Sequence, residues 1–449
     1  MRLFCHILLI VISGAAFATE ITVLHTTDTH GRLAATPEVV AEFKENTTDY
    51  TLYIDCGDAI QGNYSACKDR GAAATAALNA LGCNVWVTGN HDLDFGLGVF
   101  RERQKEFRGA SLAGNWTIDG RREAAWKMFE LNRVKVAVIG LARADQNERS
   151  YHPSYALASE SEADALRRIM PEVKAAGADI VILARHAGNF DRVGNLWSLA
   201  SEFPDIDLVL GGHTHQSEPG TTSSLAFYAQ AGKHAESLGV IRIDFDDDAR
   251  KVAQLSGKLV SLPQPAAART ETPPVATLPV NVVLPERKST ASMLAALGAK
   301  AMMAAAKSDA AVFGTKLKNT EFPAAIDEYE LFDMFPFEDE VLILDLSRDE
   351  FIRLLQEQLD TFRKSSYSPY AAGVSVVAGT DGRITAITPD RPRYSVAVSS
   401  FLHIGGNGDF PVAAEFPAKP CGLTVRGAAR NYLSANREIA VKPWLRQLR

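Results

Sequence analysis

No stretch of this 449-residue sequence reaches the roughly 18 consecutive apolar residues that a membrane-spanning helix needs, so no stable span is expected. Cysteine is scarce. There are five in all and none in paired Cys-x-x-Cys spacing, which excludes a disulfide framework and a cysteine zinc knot. There is no basic surplus either: 47 Lys and Arg stand against 54 Asp and Glu, for a net charge of −7. No run of Lys and Arg forms the basic stripe that a nucleic-acid partner requires. No internal repeat is visible, which excludes a solenoid or propeller. What remains is an ordinary globular composition, 46% hydrophobic and 22% charged, in a chain long enough for two or three domains.

Residues 1–18 carry the pattern of a secretory signal. Arg2 precedes the apolar core "LFCHILLIVI", and Ala16-Phe17-Ala18 fits the small-x-small cleavage rule. The expected mature chain starts near Thr19 and is secreted or periplasmic. Cys5 leaves with the signal, and Cys56, Cys67, Cys83 and Cys421 stay. An oxidising compartment would permit a Cys67–Cys83 bridge.

From Thr19 to Gln264, short apolar runs alternate with Ala-rich helical stretches. "ITVLHTTD", "TLYIDCGD", "VWVTGN", "VKVAVIGL", "DIVILARH" and "DLVLGGH" each read as a strand covered on both faces by helices. "GAAATAALNALG" and "EADALRRIMPEVKAAG" read as helices closed by glycine. Residues 265–285 turn to Pro, Ala and Thr and form a linker. Residues 286–449 return to helix and strand patterns, with Ser347 as a helix N-cap, and form a second, smaller α/β domain.

The strand ends carry the chemistry. "DTH" supplies Asp28 and His30, "CGD" supplies Asp58, "GNH" supplies Asn90 and His91, "ARH" supplies His186, and "GGHTH" supplies His213 and His215. In an open α/β sheet the ligand crevice lies at the carboxyl ends of the strands, so residues distant in sequence converge there. Imidazole with carboxylate is a donor set for Zn, Mn or Fe, whereas calcium would take oxygen alone. The number of donors exceeds what one tetrahedral ion can use, and favours two divalent metal ions sharing a carboxylate. Any one of these residues alone is more often a turn or cap residue; the signal lies in their joint occurrence after apolar runs.

"DTHGRL", "GDAIQG", "GNHDLDFG" and "GGHTH" resemble the calcineurin-like metallophosphoesterases, and specifically the secreted 5′-nucleotidase branch. "LNALG" and "FLHIGGNG" are similar to that branch as well. The resemblance implies a four-layer α-β-β-α catalytic domain over 19–264 and a 5′-nucleotidase-like substrate domain over 286–449. It places Asp28, His30, Asp58 and His215 on one metal, and Asp58, Asn90, His186 and His213 on the other, with Asp58 bridging. It makes His91 and Asp94 the catalytic dyad, His91 giving a proton to the leaving oxygen and Asp94 orienting it. Asp92 is left without a role, as a solvated turn residue.

The second domain departs from the family pattern. "FGTKLK" puts Phe313 where the family has asparagine, and Lys318 where it has arginine, losing the bidentate fork. "GGNG" puts Asn407 where an aspartate would accept from ribose. Phe401 keeps the aromatic that would stack on a base; its partner aligns near Ser368, beside Tyr367 and Tyr370, and the upstream arginine falls at Arg287 or Lys288. The expected substrate-binding residues are therefore Phe401, Asn407, Lys318, Arg287 and Tyr370. The leading expectation is an exported dinuclear-metal hydrolase of nucleoside 5′-monophosphates. The alternatives are a UDP-sugar, 2′,3′-cyclic nucleotide or non-nucleotide phosphoester hydrolase, and a non-catalytic ligand-binding protein on the same scaffold.

Overall fold

The computed structural model describes residues 18–144, 157–191, 194–222, 226–264, 275–277, 289–315, 325–364, 368–406, 410–436 and 445–447. Residues 1–17 of the signal pattern, the linker apart from 275–277, and the positions Arg287, Lys318 and Asn407 lie outside the described residues.

All six apolar runs are strands: Ala18–Thr26, Thr51–Asp55, Val85–Val87, Val134–Leu141, Ile180–Arg185 and Leu208–Leu210. The first three run parallel in one six-stranded sheet and the last three parallel in a second. Their β-branched side chains suit a pleated surface buried on both sides. Ile21, Val23, Ile54 and Val85 of the first sheet share one core with Val136, Val138, Ile180 and Leu208 of the second. Helices cover the outer faces. Pro37–Asn46, Ala72–Ala80 and Leu97–Glu106 pack on the first sheet, and Glu162–Ala175 and Leu196–Glu202 on the second. The result is the expected four-layer α-β-β-α stack. Gly82 and Gly177 follow two of these helices at φ +75, the left-handed stop their sequences suggested.

Beyond this stack, five strands form a further sheet in the order Ser368–Ala372, Ala310–Thr315, Arg393–Ser399, Glu340–Ser347, Ala418–Thr424. Ser289–Ala306 and Val425–Ala435 cover one face, and the amphipathic helix Arg348–Lys364 covers the other. Ser347 and Glu350 form a reciprocal capping box. The Ser347 N–H donates to Glu350 Oε2 at 2.7 Å, and the Glu350 N–H to Ser347 Oγ at 3.4 Å.

The Cys67–Cys83 bridge that an oxidising compartment would permit is not formed. Cys67 and Cys83 are both free, because Cys83 is buried and donates to the Val85 carbonyl while Cys67 faces Glu338 and Arg426. Tyr370 is 5% exposed and packs in the core with the Ser289–Ala306 helix. No helix among the described residues is long and apolar enough to cross a membrane.

His25 is fully buried on the strand Ala18–Thr26, opposite Gly239, and neither ring nitrogen has a hydrogen-bond partner. Burial pushes its pKa down to about 3. The folded state therefore keeps the ring neutral while the unfolded chain takes up a proton below about 6.5, so stability falls as pH drops through that range. At pH 5 the loss is about 2 kcal/mol. Denaturation of a His25→Leu variant at pH 7.5 and pH 5 is expected to show a smaller decline than the parent by that amount. Equal declines would refute it.

Candidate functional site

Each site residue sits immediately beyond a strand, and most do so in strained backbone. Asp28, His30, Asp58, His213 and His215 all have φ between +49 and +69, a region that L residues seldom occupy. Such strain costs of order 1–3 kcal/mol per residue, and it persists where surrounding contacts over-determine it. Those contacts are present. Asp28 N–H donates to the Gly57 carbonyl at 2.8 Å, and His30 N–H to the Asp58 carbonyl at 2.9 Å. The His213 N–H donates to Asp28 Oδ2 at 2.9 Å and the His91 N–H to Asp58 Oδ1 at 2.7 Å. Gly89 lets the loops close: a Cβ there would meet Asp58 Oδ1 at 2.2 Å.

The side chains converge in two groups, Asp28 with His30 and His215, and Asp58 with His186 and His213; ligand atoms within each group lie within 4.8 Å of one another. The tautomers suit cation binding. His30 Nδ1–H donates to the Gln61 carbonyl at 2.8 Å and His186 Nδ1–H to the Cys56 carbonyl at 2.7 Å, which turns both Nε2 atoms inward. Asp28 Oδ1 and Asn90 Oδ1 are buried without a hydrogen-bond partner, and buried His186 Nε2 lies 3.1 Å from Asp58 Oδ2. Orphaned buried acceptors are costly, and two of them on one cluster of imidazoles and carboxylates fit cations. Asp28 Oδ1 also lies 3.5 Å from His215 Nε2 and 4.0 Å from His186 Nε2, so the two groups adjoin.

The field follows from this crowding. Burial opposes ionisation of Asp58, yet His186 and His91 hold its carboxyl well below the usual range. Burial likewise opposes charge on His186, but Asp58 lifts it to about 9. Bound cations would replace that imidazolium proton as the counter-charge of Asp58.

His91 and Asp94 form a pair beside the second group. His91 Nδ1–H donates to Asp94 Oδ2 at 2.8 Å. Burial works against its charged form, but Asp94 and then Asp58 raise its pKa to about 10.

Asp92 overturns the expectation of a solvated turn residue. It is fully buried and accepts five hydrogen bonds, from the N–H groups of Asp58, Ala59, Ile60 and Gly89 and from Trp86 Nε1, at 2.8–3.2 Å. One carboxylate therefore binds the loop of Asp58 to the loop of Asn90. Position in sequence could not show this, because three of its donors lie 32–34 residues away.

His234 was also missed. Its ring lies edge-on to His30 at 5.7 Å, tilted against His215 at 6.0 Å, and its N–H donates to the Asp28 carbonyl at 2.7 Å. It follows the strand Phe227–Ala231, so the strand-end rule that found the other histidines applies to "QAGKH" as well.

A loop from the second region reaches the site. Gln61 Nε2 donates to the Pro336 carbonyl at 2.9 Å, and the Phe337 ring stacks on His91 at 5.8 Å and 21°. Asp339 accepts from Ser400 Oγ at 3.4 Å and from the Phe401 N–H. Burial and then the Asp94 charge push its carboxyl up to about 7. Phe401, half-buried on Ser400–His403, is thus tied to the vicinity of the His91–Asp94 pair.

Comparison with known proteins gives two matches along the chain: a calcineurin-like phosphoesterase over 21–217 and a 5′-nucleotidase C-terminal domain over 270–415. Among curated relatives, a snake venom 5′-nucleotidase from Gloydius brevicauda is 24% identical over 53% of this chain and 47% of its own length. The Homo sapiens 5′-nucleotidase is 26% identical over 45% of this chain and 39% of its own. The alignments span less than half the length of either relative. Among solved structures, a putative 5′-nucleotidase from Staphylococcus aureus superposes with a TM-score of 0.78 at 16% identity, over 96% of this chain and 100% of that one. At that identity the likeness is one of fold.

Proposed function

The chain belongs to the calcineurin-like phosphoesterases and carries a 5′-nucleotidase C-terminal domain, and from that premise we propose that it is an exported hydrolase of small phosphoric esters, acting on nucleoside 5′-monophosphates with two divalent ions. The observation that carries this reading is the convergence of two groups of imidazoles and carboxylates, with Asp28 Oδ1 and Asn90 Oδ1 buried and unpartnered, beside a histidine–aspartate pair.

Asp28, His30 and His215 would hold one ion, and Asn90, His186 and His213 the other, with Asp58 shared between them. Two such ions supply Lewis acidity and an activated water, and their charge exceeds that of the two aspartates, so a phosphate dianion is attracted despite the acidic chain. The remaining chemistry belongs to the protein. His91 holds a proton at Nε2 for the departing ester oxygen, while Asp94 fixes the ring through Nδ1. Asp92 and the N–H of His91 hold Asp58 in place, so little reorganisation accompanies the reaction.

A second reading keeps the chemistry and changes the ester. It draws on Ser368 near where the family pattern calls for a base-stacking partner, and on Phe313, Lys318 and Asn407 as departures from that pattern. Purified full-length protein, loaded separately with Zn, Mn or Fe(II), is to be assayed on AMP, UMP, UDP-glucose, 2′,3′-cyclic AMP and sugar phosphates. The first reading expects AMP and UMP to be preferred, with two ions per chain by elemental analysis. His213→Ala is expected to remove one ion and most activity. A panel without nucleoside preference would overturn the substrate, and a fully active His213→Ala protein would overturn the two-ion site.

A further inference from the structure

We propose that Arg185, paired with Glu162, is a positioning residue of this site: together they set the turn that presents His186 and His213, and so determine how tightly the second ion is held. The inference rests on the two-ion reading above and goes beyond it, because it gives a role to a charged pair outside the donor set.

Arg185 ends the strand Ile180–Arg185, whose side chains alternate between two faces. Ile182 and Ala184 belong to the core between the two sheets, and Val181 and Leu183 to the core under the helices. Arg185 follows the second set, away from the crevice, and meets Glu162 at the start of the helix Glu162–Ala175. The next residue, His186, turns the other way and joins Asp58 and His213. One step along the chain separates an ion ligand from the group that braces its turn.

Arg185 Nε and Nη2 donate to the two carboxylate oxygens of Glu162 at 2.8 and 2.6 Å, and Arg185 Nη1 donates to the Gly188 carbonyl at 2.9 Å. Arg185 is 0% exposed and Glu162 2%. Glu162 also stands where the partial charge of a helix N-terminus favours an anion. Burying two charges is costly, and an apolar pair of similar volume is often as stable or more so. Stability alone therefore gives no reason for this pair. A planar guanidinium that fixes two carboxylate oxygens and a carbonyl at once gives a geometric one.

The geometry it fixes is that of residues 186–188. The Ala187 carbonyl accepts from the Gly212 N–H at 3.3 Å, and a Cβ on Gly188 would meet Thr214 Oγ1 at 2.5 Å. The turn thus lies directly against the loop that carries His213. His186 belongs to the same turn, held by its own N–H on the Leu141 carbonyl and by Nδ1–H on the Cys56 carbonyl. Both imidazoles of the second group hang on one short segment, which Arg185 holds at its Gly188 end. Asp28 and His30 of the first group come from the end of another strand and depend on it less.

The test is thermal unfolding and Mn(II) titration of chelator-stripped full-length protein, in the parent, in an Arg185→Met/Glu162→Leu double variant and in Arg185→Lys. The double variant keeps a filled, uncharged core and is expected to unfold at or above the parental temperature. Its second ion is expected to bind on the order of 10–100-fold more weakly, with the first unchanged. Activity on the parent's preferred ester should be low at limiting Mn(II) and return as Mn(II) is raised. Arg185→Lys keeps the charge but loses the fork, and should weaken the second ion in the same direction. If the double variant does not fold, this one decides. Parental affinity for both ions, or equal weakening of both, would overturn the inference and leave the phosphohydrolase reading intact. A parent that binds fewer than two ions would overturn the two-ion reading and this inference together.

Discussion

Replacing Asp92 with alanine is expected to cost this protein about 4–5 kcal/mol of stability and at least one bound metal ion, although Asp92 touches neither substrate nor metal in the proposed arrangement. Its carboxylate accepts four backbone N–H groups and the Trp86 indole, all buried. Leaving a buried donor unpaired costs about 1–3 kcal/mol, and water entering the cavity would recover part of the sum. The second consequence follows from place. Asp58 has a left-handed backbone at φ +55 and is held from behind through its own N–H by Asp92. With that hold removed, the strain relaxes and the carboxylate leaves its position beside His186. Asp92→Asn separates shape from charge, because an amide can turn only one acceptor oxygen toward donors on both sides. It too should lose metal, at nearly unchanged volume. Elemental analysis with thermal unfolding checks both variants; two ions and a parental transition in Asp92→Ala would sink the keystone role.

Replacing His91 with glutamine is expected to lower kcat for AMP by about 10²–10⁴-fold, the usual range for a lost general acid. The fall should be far smaller for p-nitrophenyl phosphate, whose leaving group departs without a proton. The partner variant, Asp94→Asn, tests the electrostatics. Burial opposes protonation of His91, and Asp94 is the largest of the carboxylates that raise its pKa to about 10. Bound cations near Asp58 pull in the opposite direction. In either state, removal of the Asp94 charge lowers the His91 pKa, so the protonated acid is lost at lower pH and the alkaline limb of kcat moves toward neutrality. A limb that stays in place, or equal losses for both substrates in His91→Gln, would count against the assignment.

Much of this site was legible along the chain because its elements are local. Each strand announces itself as four to six apolar residues, and Asp28, His30, Asp58, Asn90, His186, His213 and His215 follow directly after such runs. A strand end is a property of consecutive residues, and several parallel strands bring their ends to one crevice. The same rule extends to His234. What it could not separate was a polar residue facing the crevice from one facing the protein. Asp92 lies one residue from His91, yet it turns inward to donors 32–34 positions away.

The tertiary structure alone decided how the second region meets the first. Cys67 lies between Glu338 and Arg426 rather than against Cys83, Tyr370 is buried in a core, and Phe337 lies on His91. These are contacts between residues some 250 or more positions apart, or burial set by a helix elsewhere in the chain, and no local pattern encodes them. Periodicity and turn chemistry thus pointed to a layered α/β domain and to candidate donors at its strand ends, since both act over a few residues. Packing settled which polar groups are orphaned, which are satisfied, and which aromatic stands over the proton donor, since burial is a property of the whole chain.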